Sequence, residues 1–322
     1  MVAERLYDLA GKRVFVAGHR GMVGSAIVRK LSERHCEVLT ATRSEVDLIR
    51  QSDVEDWFDA NRPDAVFVAA ARVGGILAND SFPADFLYDN LMIEANIIKA
   101  AHATGVGKLM FLGSSCIYPK LAEQPMREDA LLTGPLEPTN EWYAVAKIAG
   151  IKLAQAYRKQ HGCDFISAMP TNLYGPGDNY NLETSHVLPA LIRKVVEARD
   201  NGADEITMWG TGQPLREFMH ADDLAGALIF LMEHYSDAPH VNVGSGQEIS
   251  IRGLADLVVE KAGFRGRIVQ DETKPDGTPR KLMDSSLLHG LGWKAQISLA
   301  EGVASSIREF EALQAKPSEG RM

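Results

Sequence analysis

The stretch KRVFVAGHRGMVGSAIVRK, residues 12–30, decides the fold of this chain. It opens with an apolar run, passes through Gly18, Gly21 and Gly24, and continues with apolar residues at helical spacing. Glycines let a backbone turn sharply and approach a pyrophosphate, and the N-terminus of the following helix favours an anion. The stretch therefore predicts a dinucleotide-binding turn between a strand and a helix. The alternative is a glycine turn with a purely structural role.

Short apolar runs alternate with amphipathic segments in the first half of the chain. Further runs cover residues 36–42, 64–70, 108–114 and 165–175. Segments with apolar residues at i, i+3, i+4 and i+7 separate them. Strands that are apolar throughout indicate a parallel sheet covered by helices on both faces. We therefore predict an α/β fold with a doubly wound parallel Rossmann sheet.

The pattern changes near residue 176, where Gly, Pro and Asn cluster between helical segments. We predict a dinucleotide-binding Rossmann domain over residues 1–175 and a smaller, partly interleaved C-terminal substrate region over 176–322. A segment near 218–246 is expected to return to the first domain. Its last part, HVNVGSG, has the composition of one more strand of the sheet.

Composition limits the function. The chain has 322 residues, a net charge of -9 and three cysteines. An acidic chain without a basic tract is not expected to bind nucleic acid. Without an apolar run of about 18 residues, a membrane span is not expected either. Cys36, Cys116 and Cys163 have neither disulfide-framework nor zinc spacing, which predicts reduced thiols, no metal site and a cytoplasmic location.

Two arginines bear on the choice of dinucleotide. NAD-binding proteins usually carry an acidic residue at the end of the second strand, but here that strand ends TATRSE, with Arg43. Arg20 lies inside the glycine turn. Guanidinium groups suit a 2′-phosphate, so we predict NADP(H), although both arginines could instead be solvated surface residues. Asp47 and Leu48 are expected near the adenine.

YAVAK places Tyr143 and Lys147 four residues apart, and therefore on one face of a helix. An ammonium beside a tyrosine hydroxyl stabilises the phenolate and lowers its pKa from about 10. Such a tyrosine can exchange a proton with a carbonyl oxygen. Together with the glycine turn and an upstream strand that ends in serine, the pair predicts a carbonyl reductase.

With these motifs, the chain resembles the extended short-chain dehydrogenase/reductase family. The matching stretches run through nearly the whole chain and include AGHRGMVGSAI, LGSSCIYPK, EPTNEWYAVAKIAGIKL, WGTGQPLREFMHADD and KPDGTPRK. The resemblance is greatest to members that act on GDP-4-keto-6-deoxy-D-mannose. It implies NADPH-dependent epimerisation at C3 and C5, reduction of the 4-ketone, a GDP-sugar substrate and a homodimer. Candidate dimer helices lie near residues 86–104 and around Tyr143.

The resemblance also implies site residues. Ser114 is expected to hydrogen-bond the 4-keto oxygen with Tyr143, and Cys116 and His186 to form the acid/base pair of epimerisation. The implied cofactor-binding residues are Gly18, Arg20, Gly21, Met22, Val23, Gly24, Arg43, Asp47, Leu48, Ala70, Lys147, Pro170, Asn172, Leu173 and His186. The implied substrate-binding residues are Lys194, Trp209, Arg216 and Asp276.

Four alternatives stay open. Cys116 in isolation is a small buried hydrophobe, and Ser115 competes with Ser114 because adjacent strand residues face opposite ways. Another enzyme of the same family, such as a UDP-hexose 4-epimerase, would bind NAD tightly. A non-catalytic NADP sensor on this fold is disfavoured because Tyr143 and Lys147 are both present.

Overall fold

A central parallel sheet organises the computed structural model, which describes residues 2–273 and 276–315. The strands in chain order are β1 (Arg13–Ala17), β2 (Glu37–Leu39), β3 (Ala65–Val68), β4 (Lys108–Leu112), β5 (Phe165–Pro170), β6 (Asn172–Tyr174), β7 (Glu205–Trp209), β8 (Leu215–His220), β9 (Val241–Val243), β10 (Glu248–Ser250), β11 (Arg267–Asp271) and β12 (Arg280–Lys281). Within the described residues, the sheet has six strands in the order β2-β1-β3-β4-β5-β9. All of its neighbours pair in parallel.

Helices cover both faces of this sheet. They are α1 (Met22–Leu31), α2 (Gln51–Asn61), α3 (Ile76–Ser81), α4 (Pro83–Ala103), α5 (Glu141–His161), α6 (Val187–Asp200), α7 (Ala221–His234), α8 (Ile251–Ala262), α9 (Ser286–Leu291) and α10 (Leu299–Ala315). Apolar residues of α1 and α7 form the core on one face, and those of α2, α4 and α5 form it on the other. The predicted doubly wound parallel sheet is confirmed.

The strand order reverses between β1 and β3, because the chain first adds β2 on one side of β1 and then crosses to the other side. Ligands of such sheets bind at the carboxyl ends of the strands, where the order reverses. The glycine turn after β1 lies at this point. The sheet therefore places the predicted dinucleotide site where parallel α/β folds bind their ligands.

The apolar run 165–175, predicted as one strand, is divided in the structure. β5 ends at Pro170, and Thr171 donates its amide to the Val243 carbonyl. The chain then leaves the sheet, and β6 pairs with β8. Proline has no amide to extend a ladder, which explains a break here. β9, which lies within HVNVGSG, pairs with β5.

Beyond residue 176 the structure contains more sheet than the sequence predicts. β8 lies between β10 and β12, and β7 pairs with β11. These strands are short, and β7 alternates exposed and buried residues, so they lack the continuous apolar signal of the central sheet. A third core joins α6, α8 and α10. The division at residue 176 stays a prediction. No helix in the described part of the chain is long and apolar enough to span a bilayer.

Candidate active site

The glycine turn after β1 is shaped by close backbone contacts. Gly18 has φ +85°, and a Cβ there would lie 2.7 Å from the Cα of Ala70. A side chain at Gly24 would collide with the Gly18 carbonyl oxygen. α1 starts at Met22, and no side chain of the described residues caps it, nor does an acidic residue occupy its first turn. The amides at the start of α1 are therefore free to face an anion. Gly18 and Gly24 permit this turn because a side chain at either position would collide with the backbone.

Other predicted cofactor residues surround this turn. Val23 lies in the first turn of α1, Ala70 follows β3, Pro170 ends β5, and Asn172 and Leu173 belong to β6. The carboxyl ends of β1, β3 and β5 meet at one edge of the sheet, so the structure brings the residues at these ends together.

The residues predicted at the adenosine end lie on an exposed loop. The Arg43 side chain is 80% exposed, and its Nη2 lies 3.8 Å from Asp47 Oδ2. Asn96 of α4 donates to the Leu48 carbonyl over 3.0 Å, which fixes the loop to the helix layer. Arg20 is close to the same loop. Hydrogen bonds from Thr42 lower the pKa of Glu45, and the charge of Arg20 lowers it further. Arg20 and Arg43 are therefore both near the loop after β2, and their contact with a 2′-phosphate stays a prediction.

Tyr143 and Lys147 lie on one face of α5, as their spacing predicts. Lys147 is 2% exposed, and its Nζ lies 5.8 Å from the centroid of the Tyr143 ring and 4.8 Å from that of Phe111. The pKa of Tyr143 is raised well above its ordinary value, mainly by burial and further by negative charge on Cys116 and Glu94. Burial therefore raises the pKa of Tyr143, whereas the Lys147 ammonium was expected to lower it. The Tyr143 hydroxyl is therefore protonated at neutral pH.

The turn after β4 presents the predicted serine and cysteine. β4 ends at Leu112, so Ser114 and Ser115 are not strand neighbours; Ser114 instead caps a short 3₁₀ turn. The Cys116 amide donates to Ser114 Oγ over 3.5 Å. Ser115 is 5% exposed and Cys116 7% exposed, whereas Ser114 is only partly buried. Of the two hydroxyl groups, that of Ser114 is the one accessible to a ligand.

Lys281, which is not among the predicted site residues, acts electrostatically on both members of the predicted acid/base pair. Burial raises the pKa of the Cys116 thiol, and Lys281 is the strongest opposing influence. Burial and the same ammonium lower the pKa of His186. β12 pairs with β8 and so brings Lys281 beside Arg216. The KPDGTPRK motif was the available signal, but no local pattern shows where its last lysine points.

His186 lies at the start of α6. It precedes the helix as its N-cap residue and keeps an exposed surface. The amide of Gly75 donates to the Thr184 carbonyl over 3.2 Å and joins the loop after β3 to the loop before His186.

The predicted substrate residues form two pairs. Lys194 of α6 contacts Trp209 of β7, beside a cavity of about 340 Å³ that contains no predicted catalytic residue. Asp276 raises the pKa of Arg216 against the lowering by burial. Asp276 also accepts hydrogen bonds from the Thr211 amide and hydroxyl over 3.0 and 2.6 Å. Its oxygens thus hold the loop after β7, which is a structural role beside the predicted one.

Comparison with known proteins agrees with this geometry. The pattern of the NAD dependent epimerase/dehydratase family matches residues 14–244. This chain belongs to that family. Two members are similar over almost the full chain. A GDP-L-fucose synthase of Sinorhizobium fredii is 59% identical over 95% of this chain and 97% of its own length. The GDP-L-fucose synthase of Escherichia coli is 53% identical, with coverage of 94% and 97%.

A solved structure supports membership of the same family. A GDP-L-fucose synthetase from Naegleria fowleri, solved with NADP bound, superposes with a TM-score of 0.89. It is 27% identical and covers 98% of this chain and 99% of its own. The predicted resemblance to the extended short-chain dehydrogenase/reductases is confirmed.

Proposed function

We propose that this protein converts GDP-4-keto-6-deoxy-D-mannose to GDP-L-fucose by epimerisation at C3 and C5 and NADPH-dependent reduction at C4. The observation that carries the proposal is that Lys281 influences both Cys116 and His186, while Cys116 in turn influences Tyr143 and Lys147. A simple ketoreductase needs only the tyrosine and lysine. The names of the relatives at 53% and 59% identity support the same substrate.

NADP(H) fits the residues at the glycine turn. The uncapped start of α1 offers amides to a pyrophosphate, and Gly18 and Gly24 leave no side chain in its path. Arg20 and Arg43 would hold the 2′-phosphate. When bound there, NADPH supplies the hydride that reduces C4. The solved relative from Naegleria fowleri, with NADP bound, supports this choice over NAD.

The epimerisation needs two groups on opposite faces of the sugar. The 4-ketone acidifies the protons at C3 and C5, and inversion requires removal from one face and return to the other. Cys116 and His186 would supply these groups, since a thiol and an imidazole both titrate near neutrality. One group must remove a proton while the other returns one: burial favours the protonated Cys116 thiol, an effect that Lys281 opposes, and burial together with Lys281 favours the neutral, proton-accepting imidazole of His186. Ser114 and Tyr143 would hold the enolate oxygen between the steps.

The reduction needs one proton at the C4 oxygen. Burial keeps the proton on Tyr143 at neutral pH, so its hydroxyl can donate as negative charge develops on that oxygen. The Lys147 ammonium, next to the Tyr143 ring, then stabilises the phenolate that remains. Ser114 would donate the second hydrogen bond to the same oxygen.

Product analysis with and without NADPH tests the proposal. With NADPH, the enzyme should release GDP-L-fucose. In D₂O without NADPH, it should place deuterium at C3 and C5 of the keto sugar. Tyr143→Phe should slow reduction by about 10²–10⁴ and slow the exchange less, because Ser114 still holds the enolate oxygen. A protein that reduces the ketone without exchange at C3 and C5 would be a different reductase, and one that consumes no NADPH would exclude the function.

We also propose that the protein is a cytoplasmic homodimer whose subunits contact each other through α4 and α5. These helices pack against each other, and Tyr88 of α4 and Val145 of α5 are 58% and 39% exposed. Exposed apolar side chains on neighbouring helices favour association with an identical surface. Light scattering on the purified protein should give twice the mass of the chain, and a monomer at micromolar concentration would contradict it.

A further inference from the structure

Glu94 is a buried carboxylate outside every predicted role. It lies on α4 and is 2% exposed, and its Oε2 lies 3.8 Å from Lys147 Nζ. The Gly150 backbone and Lys147 are the donors that favour its ionised form, but among the described residues neither is aligned well enough to satisfy an oxygen of Glu94. Buried carboxylates normally have hydrogen-bond donors, so its contact with the catalytic lysine needs an explanation.

Gly150 makes room for this contact. A Cβ at Gly150 would lie 2.8 Å from Glu94 Oε2 and would collide with the Phe111 ring. Gly150 lies in the middle of α5, where glycine weakens a helix relative to alanine. Gly150 therefore weakens the helix, but a larger residue there would displace the Glu94 carboxylate or the Phe111 ring.

Glu94 also lowers stability at neutral pH. Burial raises its pKa to about 7, and Lys147 opposes this rise. A carboxyl group whose pKa is raised on folding stabilises the protein below its unfolded pKa, and this contribution is lost as pH rises through about 7. The ionised group therefore costs stability. Residues that lower stability and perturb a reacting group are typical of functional sites.

The charge of Glu94 acts on both catalytic residues in the same direction. Burial lowers the pKa of Lys147, and Glu94 is the strongest influence that raises it. Glu94 also adds to the burial that raises the pKa of Tyr143. In both cases a proton is retained, on the ammonium and on the hydroxyl. A reductase needs its tyrosine protonated, because the C4 oxygen takes up a proton.

We propose that Glu94 is a positioning residue that holds Lys147 in its ammonium form and extends to higher pH the range over which Tyr143 donates its proton. The proposal rests on the proposed function for the direction of the reaction. Other groups act on the pair: Cys116, from the turn after β4, influences both Lys147 and Tyr143. Glu55 of α2 pairs instead with Lys99 on the exposed side of α4.

The first arm of the test needs no substrate. Glu94→Gln, Lys147→Met and the double variant are unfolded with urea at pH 8.5 and at pH 5.5. A coupling between the two side chains should appear at pH 8.5 and shrink at pH 5.5, where Glu94 is protonated. In the wild type, ionisation of Glu94 should lower the free energy of unfolding as pH rises from about 4.5 to about 7. Glu94→Gln alone should remove this part of the pH dependence.

The second arm is the pH profile of kcat/KM for NADPH oxidation with GDP-4-keto-6-deoxy-D-mannose. Glu94→Gln removes a charge that raises the pKa of both catalytic residues, so the alkaline limb should move to lower pH by about 1–3 pH units. Glu94→Asp keeps the charge and should restore part of this range. The matched control is Glu233→Gln, a buried carboxylate of α7 that pairs with Arg5 and Arg34. It should alter stability and leave the limb in place.

The outcomes separate the two proposals. Coupling together with a shifted limb supports the role of Glu94. Coupling with an unshifted limb makes Glu94 a structural partner only and overturns the proposal, as does an absent coupling at pH 8.5. If the wild type does not turn over the keto sugar, the proposed function fails, and the unfolding arm still decides whether Glu94 holds Lys147.

Discussion

The ammonium of Lys194 lies 5.3 Å from the centroid of the Trp209 ring, which joins α6 to β7 by a cation–π contact. The Trp209 side chain keeps 62% exposure. Lys194 is half-buried, and burial lowers its pKa. A flat aromatic surface with an adjacent cation suits a purine base and a diphosphate, which is the part of a GDP-sugar that does not react.

Trp209→Ala and Lys194→Met should therefore weaken substrate binding. We expect KM for the GDP-sugar to rise by about tenfold, since cation–π and stacking contacts contribute about 0.5–2 kcal/mol. The kcat should change little, because neither residue lies near the ketone. Steady-state kinetics at saturating NADPH measure both constants, with Lys261→Met, a surface cation paired with Glu260, as the control. An unchanged KM for Trp209→Ala would contradict the predicted site.

Cofactor preference provides the second prediction. NADPH should be preferred over NADH, because we predict that Arg20 and Arg43 bind the 2′-phosphate. A charge-assisted contact contributes about 1.5–3 kcal/mol, so Arg20→Ala should reduce the ratio of kcat/KM values about tenfold or more. Arg267→Ala, in a surface pair with Glu205, should leave the ratio unchanged. Full retention of the preference in Arg20→Ala would remove this residue from the site.

The pH dependence of deuterium exchange at C3 and C5 should show whether Cys116 or His186 removes the proton. Burial raises the pKa of the Cys116 thiol, so the thiolate fraction grows as pH rises through the neutral range. With Cys116 as the base, deuterium incorporation without NADPH should rise over pH 6–9, and Cys116→Ser should abolish most of it. A level profile that falls only in alkali would instead give the base role to His186, whose lowered pKa leaves it neutral at pH 7.

Lys281→Met tests the cation between these two groups. Removing the ammonium takes away the strongest influence that lowers the pKa of Cys116, so the rise in exchange should move to higher pH by about 1–3 pH units. Reduction of an already epimerised ketone should survive. The control is Lys99→Met, on the exposed side of α4. If exchange at pH 7 persists at the wild-type rate, Lys281 does not act on the thiol.

Local chemistry was predictable from the sequence, and long-range pairing was not. The glycine turn and the Tyr143–Lys147 spacing depend on neighbouring residues, so the pattern shows them directly. Glu94 looks like one polar residue of an amphipathic helix, and only the packing of α4 on α5 shows that it is buried. Lys281 reaches the site through the pairing of the two-residue strand β12 with β8, which no periodicity records.

The return of β9 to the central sheet bears on how the chain is made. Residues 171–240 separate β9 from its partner β5, so a nascent chain exposes the free edge of β5 until this whole segment has been synthesised. Buried hydrogen bonds then fasten the late strand, from Tyr118 to Asn242 over 2.5 Å and from Asn242 to the Met126 carbonyl over 3.0 Å. Non-local pairing of this kind slows folding, and an open strand edge invites other chains. A fragment that stops at residue 175 should therefore aggregate, although it contains the entire glycine turn and both helices of the predicted dimer.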